Sequence, residues 1–306
     1  MKSFKDTKIM QFNFIRSPFS KLYWGYRRFI AKHMSDRTYL KWRHFCLFHK
    51  VPNLDKPVLF NEKLHWLKLN DRKPIYHTMV DKFDVKEFVG QKYSWDIVIP
   101  TIGIWSSFSD IDFGKLPDSF ILKGTFDSGS YYICRNKRTD LDIEKARKSL
   151  TRDWNNNYYM WSREWPYDGL KHRIIAEPLI TKNKEDLWEF KFFCFEGEPR
   201  FYQTCLDRTY SQASLRFFDI DGKEIDIRDK YHVKNTDQRV IHPAKLTEML
   251  NICRIFAKGT HFIRVDLYEI RGHIYFGEFT FYENGGWCEF VPEKYNKILG
   301  DWILVP

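Results

Sequence analysis

Six cysteines, Cys46, Cys134, Cys194, Cys205, Cys253 and Cys288, are scattered along the chain without one CxxC pair. That spacing excludes a zinc ribbon or a thioredoxin-like redox motif and reads as reduced, mostly buried thiols of a cytosolic protein. No apolar run approaches the roughly 18 residues that a membrane span needs. The N-terminal apolar positions are interrupted by Gln11, Asn13 and Arg16, a poor signal peptide. The phosphate-binding pattern GxxxxGK[ST] is absent, which excludes a Walker loop. Internal repeats are absent too, and with them solenoids and propellers.

What is present is a chain of 306 residues, 43% hydrophobic and 29% charged, a globular composition with room for one large or several small domains. Aromatics reach 18%; some could line a sugar-binding groove, but most must be core. The net charge of +10 is concentrated. Residues 1–50 hold 12 Lys/Arg against Asp6 and Asp36, and the remaining chain is balanced. In that segment basic residues interleave with Phe12, Phe14, Phe19, Tyr23, Trp24, Tyr26 and Phe29 at roughly helical spacing. Such a mixture suits an anionic membrane surface, at roughly 1 kcal/mol per basic residue near the lipid. A helical extension with solvated charges is the plainer alternative. Nucleic acid is not expected as a partner, because no recognition motif accompanies the basic arm.

Periodicity predicts mixed α and β structure with mostly antiparallel connections. A helical region is expected over 20–50, broken at Pro52 and Pro57. Helices are expected over 60–69, over 81–91 with a stop at Gly90, over 142–154, and over 245–258 with Gly259 as cap. Strand character appears at 97–105, at 119–134 around a loop of small residues, at 174–180, at 189–206 around Gly197, and in a hairpin of strands 262–269 and 274–281 about Arg271-Gly272.

The hairpin carries the strongest chemistry. Side chains alternate with period two, so Arg264 and Asp266 share one face, as do Glu278 and Thr280 on the returning strand. Folding at Gly272 sets Asp266 opposite Glu278 to within one residue. Two facing carboxylates repel unless a cation lies between them. Hard oxygen ligands with room for water and phosphate suit magnesium and a nucleotide, while a solvated face with scattered charges is the simpler reading. Upstream, Lys123 ends the apolar run Phe120-Ile121-Leu122 and precedes Asp127, Ser128, Gly129 and Ser130, a loop able to aim N–H groups at phosphate oxygens. Glu177-Pro178-Leu179 at a strand end could present backbone groups to a flat heterocycle, although a strand leaving the core is the plainer reading of the motif by itself. Lys191 is a charge on an apolar strand, either snorkelling at the surface or functional.

The order of these pieces, together with Phe60-Asn61-Glu62-Lys63-Leu64-His65-Trp66-Leu67, Val80-Asp81-Lys82-Phe83, Ser162-Arg163-Glu164-Trp165-Pro166-Tyr167, Lys191-Phe192-Phe193-Cys194-Phe195 and Gly277-Glu278-Phe279-Thr280, resembles the TupA-like family of the ATP-grasp superfamily over residues 57–306. The resemblance implies an α+β ATP-grasp fold of two β-rich lobes clamping ATP, preceded by the basic helical segment. The expected divisions are 1–56, 57–118, 119–178 and 179–306. It further implies that Lys82, Lys123 and Lys191 approach the nucleotide, that Ser128, Gly129 and Ser130 form a flap over its phosphates, and that Glu177 and Leu179 meet adenine. Asp266, Glu278 and Thr280 would bind Mg2+, with Glu283 or Asn284 able to replace Thr280, and Arg264 would stabilise charge on the reacting carboxylate. Asp207 and Arg208 are candidate substrate contacts, with a plain surface salt bridge as the alternative. The implied activity is an ATP-dependent carboxylate–amine ligation on a bacterial surface polysaccharide or its precursor, in the cytoplasm near the membrane. The alternative is a glycosyltransferase using a nucleotide sugar. Close relatives are expected to carry His where this chain has Phe126.

Overall fold

The computed structural model describes residues 31–152, 154–155, 157–181, 188–206, 214–230 and 242–306. The chain divides into two compact units, Met1–Asn53 and Leu54–Pro306. In the first, helix α1 (Asp36–Phe48) starts at Ser35, whose hydroxyl accepts the Thr38 N–H at 3.3 Å, and ends at His49 in the left-handed region. With residues 31–33, which are also helical, it is the described part of the helical region expected over 20–50; residues 1–30 of the basic segment lie outside the described residues.

The second unit opens with three helices, α2 (Phe60–Asn70), α3 (Ile75–Val80) and α4 (Asp84–Lys92). Glu62 caps α2 by accepting the Val58 and Leu59 N–H groups at 3.0 Å each. Helix α4 continues past Gly90, where a stop was expected. A Cβ at residue 90 would come within 2.4 Å of the Trp95 ring, so this glycine serves close packing inside the helix and not termination. Of the strand expected over 97–105, only β1 (Gly103–Trp105) forms.

Two antiparallel sheets follow. The smaller comprises β1, β2 (Phe120–Gly124), β3 (Tyr131–Cys134) and β4 (Ile174–Pro178), in the order β1-β4-β2-β3. Helix α5 (Ile143–Thr151) covers it, and Phe120, Leu122, Ala146, Leu150, Ile174 and Ala176 form its core. The larger sheet comprises β5 (Trp188–Phe195), β6 (Glu198–Leu206), β7 (Ser214–Asp219), β9 (Phe262–Ile270) and β10 (His273–Thr280), in the order β10-β9-β5-β6-β7. A short pair, β8 (Arg228–Asp229) with β11 (Phe290–Val291), forms a separate two-stranded ladder.

Both tight hairpins of the larger sheet turn through two residues with positive φ, Glu196-Gly197 (48° and 85°) and Arg271-Gly272 (51° and 76°). Those are the twist-matched turns that two-residue hairpins favour. Helix α6 (Leu246–Ala257) packs Met249, Cys253 and Phe256 against this sheet, as its apolar spacing requires. The aromatic excess goes into the same core: Phe60, Phe193, Phe195, Phe201 and Phe262 are all buried, with Phe193 stacked on Phe201 at 4.5 Å. Each such ring contributes about 1.5–3 kcal/mol on leaving water. Helix α7 (Lys294–Asp301) closes the chain against α2.

Candidate functional site

The β9–β10 hairpin begins in the register its turn dictates, with Ile270 opposite His273 and Leu267 opposite Phe276. Unbroken, that register would set Glu278 opposite Val265, in the apolar layer. A β-bulge at Gly277 shifts it by one, so that Glu278 faces Asp266 and Thr280 faces Arg264. Glycine is required there, because a Cβ would lie 2.9 Å from the Asp266 carbonyl oxygen.

Strand β5 runs beside β9 and sets Lys191 opposite Asp266. The carboxylate of Asp266, with no exposed surface, accepts from Arg264 Nε at 2.7 Å, Arg264 Nη2 at 2.7 Å and Lys191 Nζ at 2.8 Å. Lys191 also lies 3.6 Å from Glu189, and Arg264 Nη1 donates to Glu283. Burial raises the Asp266 carboxyl, but Arg264 and then Lys191 outweigh it and bring it down to about 2. For Arg264, burial acts against the cation while Asp266 and Glu283 hold it well above its ordinary value. Lys191 is therefore no snorkelling surface residue; it is 5% exposed and ion-paired. Glu278 is different in kind, with a half-exposed side chain touching Arg264 Nη2 at 3.3 Å.

On the smaller sheet, β2 pairs with β4. Glu177 lies 2.6 Å from Lys123 Nζ and 2.5 Å from Lys86 Nζ. Burial raises the Glu177 carboxyl, and the two lysines overcome that and hold it below the carboxylate range. The side chain of Glu177 is thus committed to lysines, which leaves its backbone and the half-buried Leu179 to line any cleft at this strand end. The loop after β2 is closed by Gly124 N–H donating to Ser130 O at 2.8 Å, with Ser130 Oγ bonded to Asp127. Ser128 and Gly129 are exposed, Gly129 at φ 116°. Phe126 is buried and stacks on His172 at 4.0 Å, so the residue expected as His in relatives is here part of an aromatic cluster.

Lys82 donates to the Asp127 carbonyl, and burial pushes its ammonium down against the opposing fields of Asp127 and Glu278 and alongside that of Lys123. The Tyr167 hydroxyl has its ionisation raised well above normal by burial and by Glu164, Tyr158, Glu278 and Asp127. The charges of Asp127 in the loop after β2, Lys123 on the smaller sheet and Glu278 on the hairpin thus all act on Lys82, although 196 positions separate Lys82 from Glu278. Asp207 and Arg208 lie outside the described residues.

Sequence reasoning passed over Lys86 and Lys68. Each sits on the apolar stripe of a helix, Lys86 three residues before Val89 and Lys68 four after Leu64, and a cation breaking such a stripe is the signal that marked them. Glu283, weighed as a metal ligand, accepts from Arg264 Nη1, and Asn284 donates to Asp229 at 3.1 Å.

Among the described residues no group of three or more His, Cys, Asp or Glu side chains gathers into a metal cage. The hairpin nevertheless fits magnesium in kind. Three hydrogen bonds occupy three of the about four lone-pair positions of Asp266, leaving one on Oδ1. Glu278 is accessible, and Thr280 is half-buried on the same face. One or two carboxylates, completed by water and nucleotide phosphate, is the usual magnesium arrangement. No described helix is long and apolar enough to cross a membrane.

No curated protein matches the chain. Several solved structures are distantly similar. The D-alanine–D-alanine ligase of Bacillus anthracis is 15% identical over 66% of this chain and 56% of its own, with a TM-score of 0.39. That of Helicobacter pylori is 12% identical over 74% and 61%, at 0.40. The L-amino acid ligase of Bacillus licheniformis is 12% identical over 74% and 45%, at 0.40. The chain spans about half to three-fifths of the length of these proteins. The family described as TupA-like ATPgrasp matches residues 62–304, from the capping glutamate of α2 to the last residues of the chain. That match covers both sheets, the flap and the hairpin, and by it the chain belongs to the TupA-like ATP-grasp family.

Proposed function

We propose that the protein is an ATP-dependent carboxylate–amine ligase, passing the γ-phosphoryl group to a carboxylate and then joining the resulting acyl group to an amine. The observation that carries this reading is the buried Lys82, bonded to the Asp127 carbonyl and acted on by the charges of Lys123 and Glu278, inside an ATP-grasp chain. A lysine destabilised by burial, as Lys82 is, regains its charge most readily beside an anion, and a nucleotide phosphate supplies one. Lys123, poised against Glu177, adds a second cation on the flap side. Arg264, gripped by Asp266 and Glu283, is a rigid cation aimed along the hairpin face, suited to stabilise charge developing on the reacting carboxylate. Magnesium, when bound, would be held by Glu278, with Asp266 and Thr280, and would screen the phosphate charge.

The alternative, a glycosyltransferase with a Rossmann core, requires parallel strands; every strand pair in the described sheets is antiparallel. The acceptor proposed is a surface polysaccharide or its precursor, with a uronic or amino acid carboxylate and an amino acid or amino sugar as amine. The basic segment 1–50 is proposed to hold the enzyme near membrane-borne glycan synthesis through anionic lipid.

Thermal unfolding with ATP and magnesium, against UDP-sugars and magnesium, tests the reading. Ligand at about 100 times Kd stabilises the native state by about 2.7 kcal/mol. Wild type should rise with ATP, and Lys123→Ala and Glu278→Gln should lose that rise. A rise with a UDP-sugar alone would overturn the proposal.

A further inference from the structure

Lys68 lies in the last turn of α2 with no exposed surface. Its Nζ donates to the carbonyl of Ser162 at 2.6 Å and to that of Gly285 at 2.6 Å, and stands over the rings of Tyr282 (5.4 Å) and Trp287 (5.1 Å). A lysine carried so deep costs free energy that a structural core could avoid with leucine or methionine. What it gains is a link between two segments 123 residues apart, the 162–167 stretch and the turn Glu283–Gly286.

Both segments reach the site. The turn supplies Glu283, which holds Arg264 Nη1. The other stretch supplies Glu164 and Tyr167, the latter in the fields of Glu278 and Asp127. The two are packed closely enough that a Cβ on Gly285 would stand 3.3 Å from Glu164 Oε1 and 3.1 Å from the Trp287 ring. From the second side, His77 Nδ1 donates to the Pro166 carbonyl at 2.7 Å, and the His77 ring lies 4.3 Å from that of Trp165. Lys68 is thus the node from which one wall of the site and the anchor of Arg264 are both set.

We propose that Lys68 is a positioning residue for the metal–phosphate end of the site, acting through the Glu283 turn to hold Arg264 and the face it shares with Glu278. This rests on the ligase reading above, and it separates Lys68 from a mere core staple. A staple loosens the whole molecule; a positioning residue affects the magnesium-dependent part of nucleotide affinity far more than the metal-free part.

The test is calorimetric titration of wild type, Lys68→Met, Gly285→Ala, Glu283→Gln and the Lys68→Met/Glu283→Gln double variant with ADP, with and without magnesium. Gly285→Ala disturbs the same junction without removing a buried amine, so it decides the matter should Lys68→Met fail to fold by circular dichroism. The expected result is a loss of about tenfold in MgADP affinity for Lys68→Met and Gly285→Ala, the worth of a hydrogen bond from a charged group, with metal-free ADP affected less than about twofold. The double variant should bind no more weakly than Glu283→Gln, because the two residues lie on one line of action. Equal losses for ADP and MgADP, full additivity, or wild-type affinity in both junction variants would overturn the proposal while leaving the ligase reading intact. A wild type that binds no MgADP would overturn both.

Discussion

Replacing Asp266 by asparagine preserves the shape of the side chain and removes its charge, which isolates what that charge does. Asp266 accepts three charged hydrogen bonds of 2.7–2.8 Å in a place without solvent. Removing one partner of a buried ion pair costs about 3–5 kcal/mol, because the other is left uncompensated. Here two cations lose it, yet neither is left alone, since Arg264 keeps Glu283 and Lys191 keeps Glu189 at 3.6 Å. The lower end, about 3 kcal/mol, is therefore expected. Glu278→Gln provides the contrast. Its carboxylate is half-exposed and 3.3 Å from the same guanidinium, so solvent screening holds its cost below about 1 kcal/mol. Urea unfolding at neutral pH, with both midpoints and slopes compared to wild type, measures the difference. An Asp266→Asn protein within about 1 kcal/mol of wild type, or as stable as Glu278→Gln, would refute the argument that this aspartate is a structural counter-charge.

Three further outcomes follow from the same geometry. In acid, Asp266 titrates at about 2 in the native state against 3.8 ordinarily, a difference worth about 2 kcal/mol, present above pH 4 or so and lost as the pH falls through 2; a urea midpoint flat from pH 5 to pH 2 would contradict this. Because burial lowers Lys82, its charge should be lost at a lower pH than that of an ordinary lysine, so ATP affinity should decline before the usual lysine range is reached; Lys82→Arg, which stays protonated, should flatten that profile in titrations across pH. Gly300→Ala places a Cβ 2.1 Å from the Val58 carbonyl oxygen, where α7 meets the start of α2, and should destabilise by about 2–3 kcal/mol in thermal unfolding; an unchanged midpoint would mean that the helices separate freely.

The elements that position the site were legible because their signals are local. Alternation and a glycine turn located both strands of the hairpin, and apolar spacing located α6 to within a residue at each end. The partners of each charge were not legible, because pairing is set by strands that meet only on folding. Lys191 reads as a lone charge until β5 is laid beside β9 and it meets Asp266. Glu177 reads as a strand-end acid until α4 brings Lys86 to it across 91 positions. Phe126 reads as a departure in the flap until His172, 46 residues on, is found stacked beneath it. Side chains expected to touch ligand directly thus turn out to be held first by one another.

The bulge at Gly277 makes loss of this residue milder than its exchange. Phe276 and Glu278 are two apart in sequence, yet they look to opposite sides, one with Leu267 and the other with Asp266. Excising Gly277 would join them as immediate neighbours, and ordinary alternation would then give the same two orientations, keeping the carboxylates face to face in a straighter ribbon. Exchanging it for valine would drive a side chain into the Asp266 carbonyl. Relief by sliding into the unbulged register would carry Glu278 across to Val265, among hydrocarbon. When such hairpins are aligned or transplanted, the ribbon should be counted by orientation and not by residue number, with the gap placed at this glycine.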